Sequence, residues 1–329
     1  MAHVLTMYEA GFGYAFEDEK LADYGRPAGL DDFSGKRKDV INRPLVNHPG
    51  ETFQYGTSMD WVGIVIERIT KVTLEEYFQQ NIFQPLSMEA SFFPAKLAKN
   101  KFAYMHQRLN KKELIHADHI YRQPLIWDET EKEEMFCAGG HGCFAKPLHF
   151  LSKMSSSRLP GILLTSPGLI AMLLNDGVDE KTGKRFLEPE TVQGKSVSTS
   201  VGSEMTLFLI HGVTEMFKDQ IPDTPRHSHI VVPVAKPLIA NPTPLVPMPE
   251  DHTEGWGLSF SLSHFPEKTG RAAGSASWEG AANLYWFADR TNNVAAIIGT
   301  QILPYGGKSI CRCQSVPTEA NGQSRCTCS

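Results

Sequence analysis

The spacing of apolar residues changes along this chain. From Ser58 onward Trp61, Val62, Val65, Ile66 and Ile69 recur at helical spacing and predict a helix with one apolar stripe. A second helix is predicted from the capping-box pair Thr73 and Glu76, burying Leu74 and Phe78 and stopping before Pro85. A third is predicted from Ser166-Pro167 through Leu169, Ile170, Met172 and Leu173 to Gly177. Residues 1–50 show no such period and read as loop-rich, with turn signals at Gly25-Arg26-Pro27 and Pro49-Gly50. The stretch 222–249 holds eight of the 21 prolines and reads as an extended crossover. Beyond it the period falls to two: Trp256, Leu258, Phe260 and Leu262 alternate with small residues, as in one half-buried strand. Leu284–Ala288 and Val294–Ile302 predict two further strands across the polar turn Asp289–Asn293. A helical half followed by three antiparallel strands makes the fold class α+β.

Composition narrows the function classes. The 329 residues are 41% hydrophobic and 21% charged, an ordinary globular balance with ample material for a core. A net charge of −5 without a basic stripe argues against a nucleic-acid partner. No apolar run is long enough to span a bilayer, so no membrane partner is expected. Met1–Phe16 lacks a basic start followed by an apolar run, which makes a cytoplasmic location the expectation. Four of the six cysteines, Cys311, Cys313, Cys326 and Cys328, sit in a Gly/Ser/Gln-rich end without apolar periodicity, so 306–329 reads as a Cys-rich disordered tail, not a metal site. His116-Ala-Asp-His119 and His227-Ser-His229 have ligand-like spacing without a third ligand and read as solvated loop histidines. No Gly-x-Ser-x-Gly elbow and no phosphate-binding glycine loop occurs. No cofactor is expected.

One string carries more chemistry than its parts. His48-Pro49-Gly50-Glu51-Thr52-Phe53-Gln54-Tyr55-Gly56-Thr57 precedes the helix with Trp61 and Gly63, and Asn81-Ile82-Phe83-Gln84-Pro85-Leu86 follows. Taken alone, Tyr55 reads as a packed ring with its hydroxyl on a backbone carbonyl. Together with Gly11-Phe12-Gly13-Tyr14 upstream, Ala138-Gly139-Gly140-His141-Gly142 mid-chain and Trp278-Glu279-Gly280 near the end, the string resembles the class C β-lactamase/penicillin-binding-protein superfamily, in its fungal lovastatin-acyltransferase-like branch. The resemblance covers about residues 3–192 and 213–303. It implies a β-lactamase/transpeptidase-like fold, a helical subdomain plus an antiparallel sheet flanked by helices.

The resemblance also implies a mechanism. A serine and a lysine one helical turn apart supply the attacking hydroxyl and a cation, Tyr55 serves as the base, and backbone N–H groups hold the oxyanion. Trp278 and Gly280 belong to the third motif, and Ala281, just after it, corresponds to one oxyanion donor. The expected function is serine acyltransferase or esterase chemistry in fungal secondary metabolism. A small-molecule ester or acyl thioester is the substrate, with an acyl-carrier protein as a candidate partner. Yet no lysine in these 329 residues has a serine three places before it. The expectation is therefore an N-terminally truncated domain over 1–305, with an insertion at 194–212, inactive as it stands. A pseudoenzyme binding a small acyl ligand, or a fragment without function, are the alternatives. Three strands with an apolar face would also be left partly uncovered and open to aggregation.

Overall fold

The computed structural model describes residues 11–93, 97, 102–110, 113–121, 135–150, 169–178, 183–186, 213–223, 251–267 and 269–306. The expected insertion at 194–212, the tail beyond Gly306, the cap at Ser166-Pro167, most of the proline-rich crossover and the His227/His229 pair lie outside these residues.

Residues 11–50 are more ordered than their loop-like composition suggests. Helices α1 (Glu19–Gly25) and α2 (Arg37–Ile41) form there, and Asp18 caps α1 by accepting the Leu21 N–H. They were missed because elements of seven and five residues are too short to display a period. Both predicted turns occur, the second with Gly50 at φ +88°.

Helix α3 (Ser58–Thr70) starts where expected, and α4 (Leu74–Phe78) carries the complete Thr73/Glu76 capping box before continuing as a π-helical turn over Gln79–Phe83. The predicted stripe of α3 is only half-buried, and Ile69 is exposed; the fully enclosed line is Asp60, Gly63 and Ile64. A neighbouring backbone explains the shift. Gly139 packs so tightly on α3 that a Cβ there would sit 2.4 Å from the Met59 carbonyl oxygen, and Ile64 joins Val40, Phe136 and Ala138 in one cluster.

Strands β1 (Ala90–Ser91) and β4 (Phe144–Ala145) pair antiparallel, while β2 (His106–Arg108) pairs with β3 (Leu114–His116) and, in parallel, with β10 (Ile302–Leu303). Helices α5 (Pro147–Phe150), α6 (Leu169–Leu174) and α7 (Val213–Met216) are the remaining helices among the described residues. The main sheet has five strands, not three, in meander order: β5 (Glu254–Trp256), β6 (Ser261–Ser263), β7 (Ala276–Gly280), β8 (Leu284–Asp289) and β9 (Val294–Ile298).

Two corrections follow from the backbone. The stretch 256–263 is a hairpin: Gly257 N–H donates to the Phe260 carbonyl, and Ser259 takes φ +84°, so the chain reverses while Trp256, Phe260 and Leu262 all stay buried. The stretch 294–302 breaks after Ile298 and resumes as β10 on a different sheet. Helix α6 joins the two halves, since Met172 packs into the helical core with Leu74 and Phe83, while Ile170 and Leu173 cover Phe260, Leu262, Ala276 and Ala288 on the sheet. That contact covers apolar sheet surface which the sequence alone left without a partner.

Candidate active site

Tyr55 is held from below by glycine backbone. A Cβ on Gly56 would lie 1.6 Å from the Phe12 carbonyl oxygen, and one on Gly11 would lie 2.2 Å from the Asn47 oxygen, so the segment 11–14 and the tyrosine loop touch main chain to main chain. The Val46 N–H donates to the Gly11 carbonyl at 2.9 Å and locks that contact. Gln54 accepts from the Asn47 side chain and donates to the Tyr55 carbonyl.

The sheet brings the third motif to the same place. Trp278, on the central strand β7, has its ring centroid 5.1 Å from that of Tyr55, and its side chain favours the ionised phenol. Trp256 meets Trp278 edge-on at 4.6 Å and Phe53 lies 5.1 Å from Trp256, while Tyr14 meets Tyr55 edge-on at 5.2 Å. Gly280 ends β7 opposite Leu284, and Ala281 opens the turn that follows. That turn is rigid: Asn283, fully buried at φ +55°, donates to the Ile302 and Pro304 carbonyls and accepts from the Tyr285 hydroxyl and the Gly306 N–H. Of the four residues singled out from sequence, Tyr55 and Trp278 are thus in contact, and Gly280 and Ala281 lie on the continuation of the tryptophan's strand.

The electrostatics favour a proton on the phenol. Burial pushes the Tyr55 hydroxyl well above the ordinary tyrosine range; Glu17 adds to this, the Trp278 side chain opposes it, and Asp60 and Glu279 add further. A base needs the reverse shift, which a nearby cation would supply.

Asp60 is the group the sequence did not disclose. An acidic residue in the first turn of a helix ordinarily complements the helix dipole at the surface, and nothing in the local pattern separates Asp60 from that case. Here its side chain is wholly enclosed. The Gly140 N–H donates to Oδ1 at 2.9 Å, the Tyr14 hydroxyl donates to Oδ2 at 3.4 Å, and His141 Nδ1 stands 3.8 Å from Oδ1. Burial raises its carboxyl above the usual range, and His141, the Gly140 N–H and the Tyr14 hydroxyl pull it back. The glycine loop, Gly139-Gly140-His141, is therefore pinned to the helix that follows Tyr55.

The histidines with ligand-like spacing separate. His116 faces His106 across the β2–β3 pair, whereas His119 Nδ1 sits 3.0–3.1 Å from the Tyr121 backbone. No group of three or more metal-ligating side chains occurs among the described residues, and no helix there is long and apolar enough to cross a membrane.

The chain is similar to several known proteins. The Beta-lactamase family model matches residues 1–123. The ML-236A carboxylate methylbutanoyltransferase mlcH of Penicillium citrinum is 28% identical over 192 residues, 56% of this chain and 43% of that protein. The lovastatin esterase of Penicillium rubens is 24% identical over 308 residues, 92% of this chain and 65% of that protein. The chain thus spans less than half the length of the former relative and about two thirds of the latter. Among solved structures, a variant of simvastatin synthase from Aspergillus terreus superposes with a TM-score of 0.65 at 22% identity, over 96% of this chain and 64% of that one. The fold is β-lactamase/transpeptidase-like, and the chain is similar to the Beta-lactamase family over residues 1–123 and to fungal acyltransferases and an esterase beyond them.

Proposed function

We propose that this chain carries the tyrosine half of a serine acyl-transfer site. Tyr55 is the proton acceptor for a serine hydroxyl, Trp278 orients its ring, and the turn after Gly280 offers the Ala281 N–H to an oxyanion. The acyl donor is a small-molecule ester or thioester, free or on a carrier protein, and the acceptor is an alcohol or water. The single observation supporting the reading is the ring contact of Trp278 in the third motif with Tyr55 in the second, centroids 5.1 Å apart, between motifs 223 positions apart in the sequence and joined only by folding. Relatives described as a methylbutanoyltransferase and a lovastatin esterase support both acceptors.

These 329 residues hold no Ser-x-x-Lys, and Tyr55 has its proton held in place by burial. Both facts favour a second reading for the 329-residue chain taken alone: it binds acyl ligands without turning them over. Titrating the purified chain with butyryl-N-acetylcysteamine while following indole fluorescence tests this. A saturable change that Trp278→Phe diminishes, with thioester consumed only at the solvent rate, is expected. No saturable change, or the same change in Trp278→Phe, overturns the placement of the acyl site.

A further inference from the structure

Next to Trp256, the segment 213–223 and the open end of the β5–β6 hairpin line up a carboxylate, an imidazole and a hydroxyl. Asp219 is fixed first: its Oδ1 accepts the backbone N–H groups of Ile221 and Trp256, both at 3.0 Å. Its other oxygen, Oδ2, lies 3.1 Å from His264 Nε2. On the far side of that ring, His264 Nδ1 is 2.8 Å from Thr253 Oγ1. An ionised carboxylate only accepts, so in the neutral imidazole Nε2 carries the hydrogen and Nδ1 presents its lone pair to the threonine hydroxyl, which donates.

The fold makes room for this line. The register pairs Glu254 with Ser263, which sets Thr253 beside His264 one step further along the hairpin. Gly255 leaves the space the pair occupies, since a Cβ there would lie 2.6 Å from both the Asp219 carboxyl carbon and His264 Nε2. The His264 and Asp219 side chains keep 30% and 25% of their surface exposed, so a small molecule reaches them from solvent.

A hydroxyl within reach of a base, with the base oriented by a third group, is the arrangement that activates an alcohol for attack. We propose that Thr253, His264 and Asp219 form a second acyl-accepting site, independent of Tyr55, which takes the acyl group of small activated esters onto the threonine hydroxyl. Thr253 Oγ1 bonds to the ester carbonyl carbon while its proton passes to His264 Nδ1. The tetrahedral adduct then collapses with cleavage of the bond to the leaving alkoxide, which takes the proton from Nδ1. The products are a threonyl ester and a free alcohol. Base assistance of this kind contributes about 10²–10⁴-fold, and no oxyanion hole is invoked.

The test is to treat the whole chain with p-nitrophenyl acetate and follow acetyl groups on its threonine peptides by mass spectrometry. Thr253 is expected to acetylate about 10²-fold faster than the other threonines, in keeping with base assistance. That rate should persist in Thr253→Ser (as the serine ester) and in Tyr55→Phe. It should fall by about the same factor in His264→Gln and in Asp219→Asn, whose amide reverses the ring tautomer. Two results overturn the proposal. One is Thr253 acetylating no faster than other threonines. The other is His264→Gln and Asp219→Asn lowering the thermal midpoint while leaving the Thr253 rate unchanged, which would make the constellation a tie between the hairpin and the segment 213–223.

Discussion

Around Tyr55 a phenol is enclosed by aromatic rings and faced by Glu17, Asp60 and Glu279, whereas around Thr253 an aliphatic hydroxyl meets one imidazole at a partly open edge. Enclosure and carboxylates both hold the phenol's proton in place, so the buried site waits for a cation before it can act as a base. At the open site no ionised oxygen has to be made in advance: the imidazole takes the proton as the oxygen attacks. Burial thus orients Tyr55 at the expense of its ionisation, and fixed hydrogen bonds orient His264 without that cost.

The largest effect that breaks this contrast is expected at the backbone under Tyr55. Gly56→Ala places a methyl group inside the Phe12 carbonyl and should destabilise the fold by about 3 kcal/mol or more. Urea unfolding measures this, and a loss under about 1 kcal/mol contradicts the close approach. Next comes the pin beneath the glycine loop. Asp60→Ala leaves the Gly140 N–H and the Tyr14 hydroxyl without their acceptor and should cost about 1–3 kcal/mol, while Asp60→Asn, which keeps an acceptor and removes a buried charge, should be near neutral at pH 7. Equal losses in the two variants would contradict this account of the carboxylate.

A smaller effect belongs to Trp278→Phe. Removing the indole N–H should cost about 1 kcal/mol and move the Tyr55 titration still higher, read as a Tyr55→Phe difference spectrum in the ultraviolet. A downward movement contradicts the stated effect of Trp278 on the phenol. The pH dependence of stability follows from the same shifts. Tyr55 and Tyr121 both have phenols raised by burial, so their contribution is complete below the unfolded value of about 10 and is lost as pH rises above it. The unfolding midpoint should therefore fall above about pH 10, and more steeply than in a Tyr55→Phe variant.

Local signals were the legible ones. The Thr73–Glu76 capping box and the start of α3 depend on neighbours within four residues, and both stand as read. Tyr55 and Trp278 were legible as motifs, because their strings are distinctive without the fold. The enclosed face of α3 was not, because Gly139 selects it from 76 residues beyond Gly63. Strand β7 escaped notice because Ala-Ser-Trp-Glu-Gly carries one large apolar side chain, too few to establish a period, although it occupies the centre of the sheet. The hairpin at 257–260 passed as straight strand because reversing the chain left its apolar side chains facing inward. Asp60 and the Asp219–His264–Thr253 line are tertiary products, visible only once the distant Gly140 and Trp256 N–H groups take up their carboxylate oxygens.

The central claim is that Tyr55 is the base of an acyl-transfer site awaiting a serine and a cation. The most direct measurement fuses a Ser-x-x-Lys helix of a fungal relative ahead of Met1 and follows thioester cleavage by the fused protein and its Tyr55→Phe variant. Turnover that the variant lowers by about 10²–10⁴-fold is expected; equal turnover in the two proteins would contradict the claim.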